Sequence, residues 1–442
     1  MALDPKFQAL LAVPGMQLGA PPPGVTGAMM REATKAMRPP VTPPPIHMTR
    51  DFKVPGPAGD IPVRLYAPSA EPDLPLIVFY HGGGFVVCDL DSHDVPCRML
   101  ALESGCAVVA VDYRLSPETK FPGPLEDCYA ALVALVARAK EFGCDPTRVA
   151  VAGDSAGANL ATAVCLLARE RRGPAIRHQA LFCPCLDARC DSTSMHELGE
   201  GYMLSRDVMK WFWEAYVAQP ADLTNPLVSP VLEKNLAGLP PASITTAEYD
   251  PLRDEAEQYA DQLRAVGVPV IVRRYNGMIH DFVTMSLVTE IAQVGIADVA
   301  RDLRSALRAP LVDRIGIAQK LYQLALTGDF KTVESMVTDD FIIYEASTLP
   351  FAGTYRGKGA LQELFVKVGG MLKLKDLKFR GFMTSGDDVA VLIDLIADRG
   401  GEDERISIVE VARFRGPLIC ELKPFYFDSA QVNAAAQANS SR

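Results

Sequence analysis

At 442 residues, 49% hydrophobic and 22% charged, the chain is too long for one ordinary domain and has the balance of a globular protein with a large buried core. A formal net charge of −10 at pH 7, with no long Lys/Arg run, sets it against phosphate backbones and anionic lipid surfaces, so nucleic acid is excluded as a partner. The 10 cysteines are scattered singly apart from Cys183 and Cys185, with no CxxC pair and no ligand set with histidine, so a metal is not expected.

The first residues, up to Pro14, lack the basic start and long apolar core of a signal peptide, and Asp4-Pro5 reads as a helix cap and first turn. No stretch approaches the ~20 apolar residues needed to span a bilayer, which makes a cytoplasmic protein the expectation. Residues 1–49 read as two helical pieces, roughly 5–12 and 26–37, with proline clusters at 21–23 and 39–45. Such a segment needs a larger body to fold against.

From residue 50 the pattern turns to strands: 51–54, 61–66, 76–80, 107–111, 149–152, 180–182, 244–246 and 270–274. Several are nearly uniform apolar runs, as parallel strands covered on both faces require. Helical stretches at 123–141, 156–171, 252–266 and 286–308 alternate with them, which predicts an α/β fold with a largely parallel, doubly wound sheet. Residues 183–240 break the rhythm with a polar loop and the aromatic helix 206–217, read as an insertion over the end of the sheet.

The pattern changes near residue 309. Helices at 311–327, 331–337 and 357–368, a strand at 341–346, and strands at about 376–384, 388–397, 404–415 and 418–427 describe a separate α+β unit over 311–428. The tail 429–442, rich in Ala, Asn, Gln and Ser, is expected to be disordered.

Gly153-Asp-Ser155-Ala-Gly157 follows the apolar run 149–152 and opens a helical run, the setting of a strained strand-to-helix turn that lifts a serine hydroxyl clear of the backbone. Without that setting Ser155 is simply a helix-start serine. His81-Gly-Gly-Gly84 follows the strand 76–80; its glycines allow backbone N–H groups to approach a carbonyl unobstructed, and Gly83, Gly84 and Ala156 are assigned as oxyanion donors. A flexible loop or a phosphate cradle is the alternative, though the GK[ST] of the latter is missing.

A serine hydroxyl needs a base, and an acid to orient that base. Of six histidines, only His280 follows a predicted core strand late in the chain. The order Ser, Asp, His then calls for an acid between them, and Asp250 ends the strand 244–249 on the same edge; Glu248 and Asp254 are its rivals. Trp211, Phe212, Trp213 and Tyr216 share one short helix, with Trp211, Phe212 and Tyr216 taken as candidates for lining an apolar substrate pocket and core packing the alternative.

His81-Gly-Gly-Gly-Phe85, Asp112-Tyr-Arg-Leu-Ser-Pro-Glu118, Gly153-Asp-Ser-Ala-Gly157, Asp250-Pro-Leu-Arg-Asp254 and His280-Asp-Phe282, in that order, resemble the bacterial hormone-sensitive-lipase family of carboxylesterases, in its GDSAG branch. The resemblance covers roughly residues 1–308 and implies an α/β-hydrolase fold, a triad of Ser155, Asp250 and His280, and an oxyanion loop at Gly83 and Gly84. It also implies a helical cap made by the N-terminal segment and part of 183–240, no cofactor, and a preference for short to medium acyl esters. Residues 311–428 resemble the cone-shaped fold of nuclear transport factor 2 and the SnoaL-like cyclases, through Asp340-Phe-Ile-Ile-Tyr344 and Gly353-Thr-Tyr-Arg-Gly357. No histidine follows His280, so a second histidine-dependent site is excluded, and a homodimer formed through this unit, or control of access to the ester site, is its expected role. A silent small-molecule receptor on the same fold and a bifunctional enzyme are the alternatives to the esterase.

Overall fold

In the computed structural model, residues 2–13, 15–308, 314–385, 388–399, 401–415 and 417–440 are described. The chain divides into two compact units, Met1–Pro310 and Leu311–Arg442. The change of pattern read near 309 lies in 309–313, outside the described residues.

The first unit begins with α1 (Pro5–Leu11), capped by the Asp4 side chain, and α2 (Gly27–Met37), capped by Thr26. An edge hairpin of β1 (Met48–Gly56) and β2 (Gly59–Ala67) leads into β3 (Leu74–Tyr80), α3 (Asp94–Ser104), β4 (Ala107–Val111), α4 (Gly123–Ala137), β5 (Cys144–Asp154) and α5 (Ser155–Glu170). After β6 (His178–Phe182) come the short α6 (Thr193–Glu197) and α7 (Arg206–Tyr216), then β7 (Ala242–Tyr249), α8 (Arg253–Ala265), β8 (Val270–Ile279) and α9 (Ile291–Leu307).

Eight strands form one sheet in the order β1-β2-β4-β3-β5-β6-β7-β8; every pair from β4 to β8 is parallel, while β2 runs antiparallel to β1 and β4. Every residue of β3 and β4 is buried, which is why these strands read as unbroken apolar runs. Alternate side chains of β3 feed two cores. Leu76, Val78 and Tyr80 join Leu132 of α4 and Val164 of α5, whereas Ile77 and Phe79 join Leu100 of α3 and Val299 of α9. The order reverses between β4 and β5 on either side of β3, and the carboxyl ends of parallel strands flanking such a reversal leave room for a site.

The N-terminal segment meets the 183–240 stretch directly: Leu18 N–H donates to Met203 O at 2.6 Å and Ser205 N–H to Leu18 O at 3.2 Å. On α2, the Arg31 guanidinium donates to Val86 O at 2.9 Å, which ties that helix to the loop after β3.

The second unit consists of α10 (Arg314–Thr327), α11 (Phe330–Glu334), β9 (Val337–Glu345), β10 (Gly353–Arg356), α12 (Ala360–Leu372), β11 (Leu374–Ser385), β12 (Asp388–Arg399), β13 (Glu402–Arg415), β14 (Leu418–Tyr426) and α13 (Ser429–Ser440). Its sheet, β10-β9-β14-β13-β12-β11, is antiparallel except for β14 beside β9. Glu345 is buried at the end of β9, where the Tyr426 hydroxyl donates to it at 3.4 Å. Burial, with the Glu410 carboxylate nearby, pushes its carboxyl up to about 8.

The tail corrects the sequence expectation. Residues 429–440 form α13, and Val432, Ala435 and Ala436 enter the second core alongside Leu372 and Ala397. Low mean hydropathy misleads here because three small apolar side chains at helical spacing suffice once a surface exists to receive them. Val432 has no exposure, so Val432→Asp places an unpaired carboxylate in a dry core. The expected loss is about 3 kcal/mol, read as earlier thermal unfolding; a tail that merely floats in solvent would tolerate the change.

Candidate active site

The turn between β5 and α5 is built by exclusion of side chains. A Cβ on Gly157 would lie 1.9 Å from the Tyr80 carbonyl oxygen, and one on Gly153 would lie 2.4 Å from the Gly157 backbone. Only glycine allows the first turn of α5 to press against the end of β3 so closely. Ser155 between them takes φ +50°, a left-handed conformation that a serine holds only when its surroundings impose it. It stands at the N-terminus of a 16-residue helix, where peptide dipoles favour negative charge.

His280 follows β8, and Asp250 follows β7. The His280 Nδ1 lies 2.8 Å from Asp250 Oδ2 and its Nε2 lies 3.0 Å from Ser155 Oγ. All three side chains are buried, and Asp250 Oδ1 also accepts the Leu252 N–H at 2.9 Å. Because an ionised carboxylate can only accept, Nδ1 carries the hydrogen toward Asp250. Burial works against charge on His280, but the Asp250 and Asp281 carboxylates hold the imidazole well above its ordinary value. The rival acids are engaged elsewhere: Glu248 accepts the Gly277 N–H at 2.7 Å, and Asp254 the Ser194 N–H at 2.8 Å.

In the loop after β3, Gly83 has φ +103° and Gly84 φ +58°. The Gly82 N–H is taken by Asp154 Oδ1 at 3.0 Å, which pins the loop to the serine turn. The other oxygen of Asp154 lies 3.0 Å from His93 Nε2. Burial raises the Asp154 carboxyl, but the charge of His93 prevails and holds it below the usual carboxylate range. His81 stacks on Tyr113 at 4.4 Å and burial lowers its imidazole to about 4, so it packs the loop as a neutral ring. Sequence reasoning missed the Asp154–His93 pair. Its one signal was an acid inside the serine turn, and nothing in the chain order links that acid to residue 93.

The aromatic helix α7 divides. Phe212 is nearly buried against the glycine loop, since a Cβ on Gly84 would lie 2.3 Å from its ring, and Trp211 meets it edge-on at 5.4 Å. Tyr216 packs in the same core: it has no exposure and stacks flat on Phe85 at 3.9 Å. Phe212 and Tyr216, one helical turn apart on the same face, both belong to the first core, the former toward Gly84 and the latter toward Phe85. Cys183, at the end of β6, brings its thiol within 4.8 Å of both Asp250 and His280, and burial beside Asp250 keeps that thiol protonated.

Residues 77–284 match the family described as the alpha/beta hydrolase fold. The carboxylic ester hydrolase LipN of Mycobacterium tuberculosis is 43% identical over 277 residues, 61% of this chain and 72% of that protein. The chain belongs to the hormone-sensitive-lipase-like family of α/β-hydrolase carboxylesterases. It is a carboxylic ester hydrolase. An ethyl acetate hydrolase of Pseudomonas putida is 39% identical across 56% of this chain and 79% of its own length. The solved esterase of the archaeon Pyrobaculum calidifontis, 38% identical, superimposes with a TM-score of 0.63 over 69% of this chain and 99% of that one. Among the described residues, no helix is long and apolar enough to cross a membrane.

The tight seat of the serine turn carries a direct test. In Gly157→Ala the added methyl must displace the Tyr80 carbonyl, which is backbone and cannot rotate away. Esterase turnover should fall by about 100-fold or more, or the protein should fail to accumulate in folded form. Near-normal turnover from a folded variant would show that the turn has slack.

Proposed function

We propose that the protein hydrolyses short to medium acyl esters through an acyl-enzyme on Ser155, with His280 as general base and acid, Asp250 as its orienting carboxylate, and the amides of Gly83, Gly84 and Ala156 as oxyanion donors. The observation that carries this reading is the single hydrogen-bonded line from Asp250 through His280 to Ser155, at 2.8 and 3.0 Å.

In the first step Nε2 accepts the serine proton as Oγ bonds to the ester carbonyl carbon, and the carbonyl oxygen becomes an oxyanion facing the helix N-terminus and the glycine loop. Collapse breaks the bond to the alcohol oxygen, which leaves with the proton from Nε2. Water then repeats the sequence on the acyl-enzyme, giving the carboxylic acid and free Ser155. The Asp154 bond fixes Gly82 at the start of the loop, and among the described residues no partner accepts the Gly83 or Gly84 N–H, which supports their assignment as donors. Phe212 over Gly84, with Trp211 beside it, is the apolar wall available to an acyl or alcohol group, and its closeness to the loop favours small groups. The names of two relatives, the ethyl acetate hydrolase and an acetyl esterase of Salmonella schwarzengrund, point the same way.

For residues 311–428 we retain the cone-shaped, nuclear transport factor 2-like reading and a role in self-association. Tyr344 on β9 and Phe425 on β14 support it, being large side chains that are 39% and 52% exposed.

Ser155→Ala should lower kcat/KM for p-nitrophenyl acetate by at least about 10⁴-fold and abolish labelling by a fluorophosphonate, with unchanged thermal unfolding. Residual turnover within about tenfold of the parent would remove Ser155 from the role. In the full chain, Phe425→Lys should reduce the mass in solution from dimer to monomer; an unaltered mass would end the association reading.

A further inference from the structure

We infer that Asp281 is a second carboxylate acting on the base, a positioning residue that shares His280 Nε2 with the Ser155 hydroxyl and sets the pH at which the imidazole becomes free to accept the serine proton. This rests on the triad reading given above.

Asp281 Oδ2 lies 3.2 Å from His280 Nε2, the same nitrogen that lies 3.0 Å from Ser155 Oγ. That nitrogen offers a single in-plane position, holding either an N–H or a lone pair. As imidazolium, His280 donates Nε2–H to Asp281 and is unable to take the proton of Ser155. As neutral imidazole it accepts from Ser155, and the ionised Asp281 then faces a lone pair. The two partners therefore favour opposite protonation states of one ring.

The position is imposed by the fold. Asp281 has φ +51°, left-handed for a residue with a Cβ, so it occupies a backbone conformation that glycine would hold with less strain. Its Oδ1 is buried without a hydrogen-bond partner, which leaves the contact with His280 as the clear stabilisation of this carboxylate. The titratable groups around the ring are Asp250 from the end of β7, Cys183 from the end of β6, and Ser155. Asp281 itself is influenced by His280, by Asp154 from the end of β5 and by Asp250, while its charge in turn reaches His93 at the start of α3 and Cys88 of the loop. Burial pushes its carboxyl up to about 6, against the pull of His280. At neutral pH and above it is therefore charged, and its charge adds to that of Asp250 in favouring imidazolium.

The sign of the effect follows. Activity requires neutral His280 and is lost as pH falls through the folded value of that imidazole. Removing the Asp281 charge lowers that value, so the acid limb moves to lower pH. A less basic imidazole is also a weaker base, and the imidazolium formed in the transition state loses a stabilising charge, so the alkaline plateau falls. The two profiles must cross, which damage to the structure does not produce.

The test is kcat/KM for p-nitrophenyl acetate from about pH 5 to about pH 9 with the full-length protein and Asp281→Asn, alongside Asp281→Gly, whose backbone suits the left-handed conformation. The acid limb is expected to fall by about one pH unit or more in both variants. Above about pH 6, where Asp281 is charged, and below the crossing, activity should exceed the parent's by up to about tenfold, with the profiles converging at lower pH and a lower plateau at high pH. Where Asp281→Asn does not fold by thermal melting, Asp281→Gly alone decides. A parent that is inactive, or whose Ser155 resists a fluorophosphonate, would sink the triad reading. An active parent with variant limbs superimposed on its own, or uniformly scaled below it, would overturn the role of Asp281.

Discussion

The contact on which the active site depends is backbone against backbone: the first turn of α5 lies on the end of β3 so closely that Gly157 has no room for a methyl beside the Tyr80 carbonyl. This contact fixes where the helix starts, and hence where Ser155 stands. It also fixes the distance from the serine turn to the glycine loop, because that loop begins at the residue after Tyr80. A looser seat would shift Ser155 and the glycine loop relative to one another, and the proposed chemistry tolerates little displacement.

Asp154 turns that proximity into a joint. One carboxylate oxygen holds Gly82 and the other meets His93, so three chain segments converge on a single buried acid. Such a charge is costly to bury, and here it is both paired and hydrogen-bonded. A comparable economy appears at the other side of the ring. Asp250 is anchored by its own turn through Leu252 and by His280, so its orientation is fixed before any substrate arrives. The site thus consists of carboxylates that are held, acting on one imidazole and one loop.

The sheet makes these joints possible. Ser155, Asp250 and His280 each follow the carboxyl end of a parallel strand, β5, β7 and β8, and parallel strands deliver such ends to one edge however far apart they lie in sequence. The N-terminal segment and the stretch after β6 meet through Leu18 and Met203, and α7 brings Phe212 over the glycine loop.

The sequence by itself determined most of the strand and helix order, the serine turn and the glycine loop, and it singled out the three side chains, Ser155, Asp250 and His280, that the fold brings within hydrogen-bond reach. These are local patterns: apolar runs, glycines where a Cβ has no place, and a chain order with few histidines to choose among. Tertiary structure alone decided that Asp154 pairs with His93, that Tyr216 supports Phe85 while its helical neighbour Phe212 overhangs the loop, and that Asp281 reaches the same nitrogen as Ser155. It also decided that residues 429–440 fold, since Val432 and Ala435 are apolar enough only against a core supplied by β12, β13 and α12. Except for Asp281, whose partner His280 is its neighbour but whose reach to the far ring nitrogen depends on the turn between them, the partner is distant in sequence and the pairing leaves no period or spacing to read, so that only the packed chain brings the groups within reach of one another.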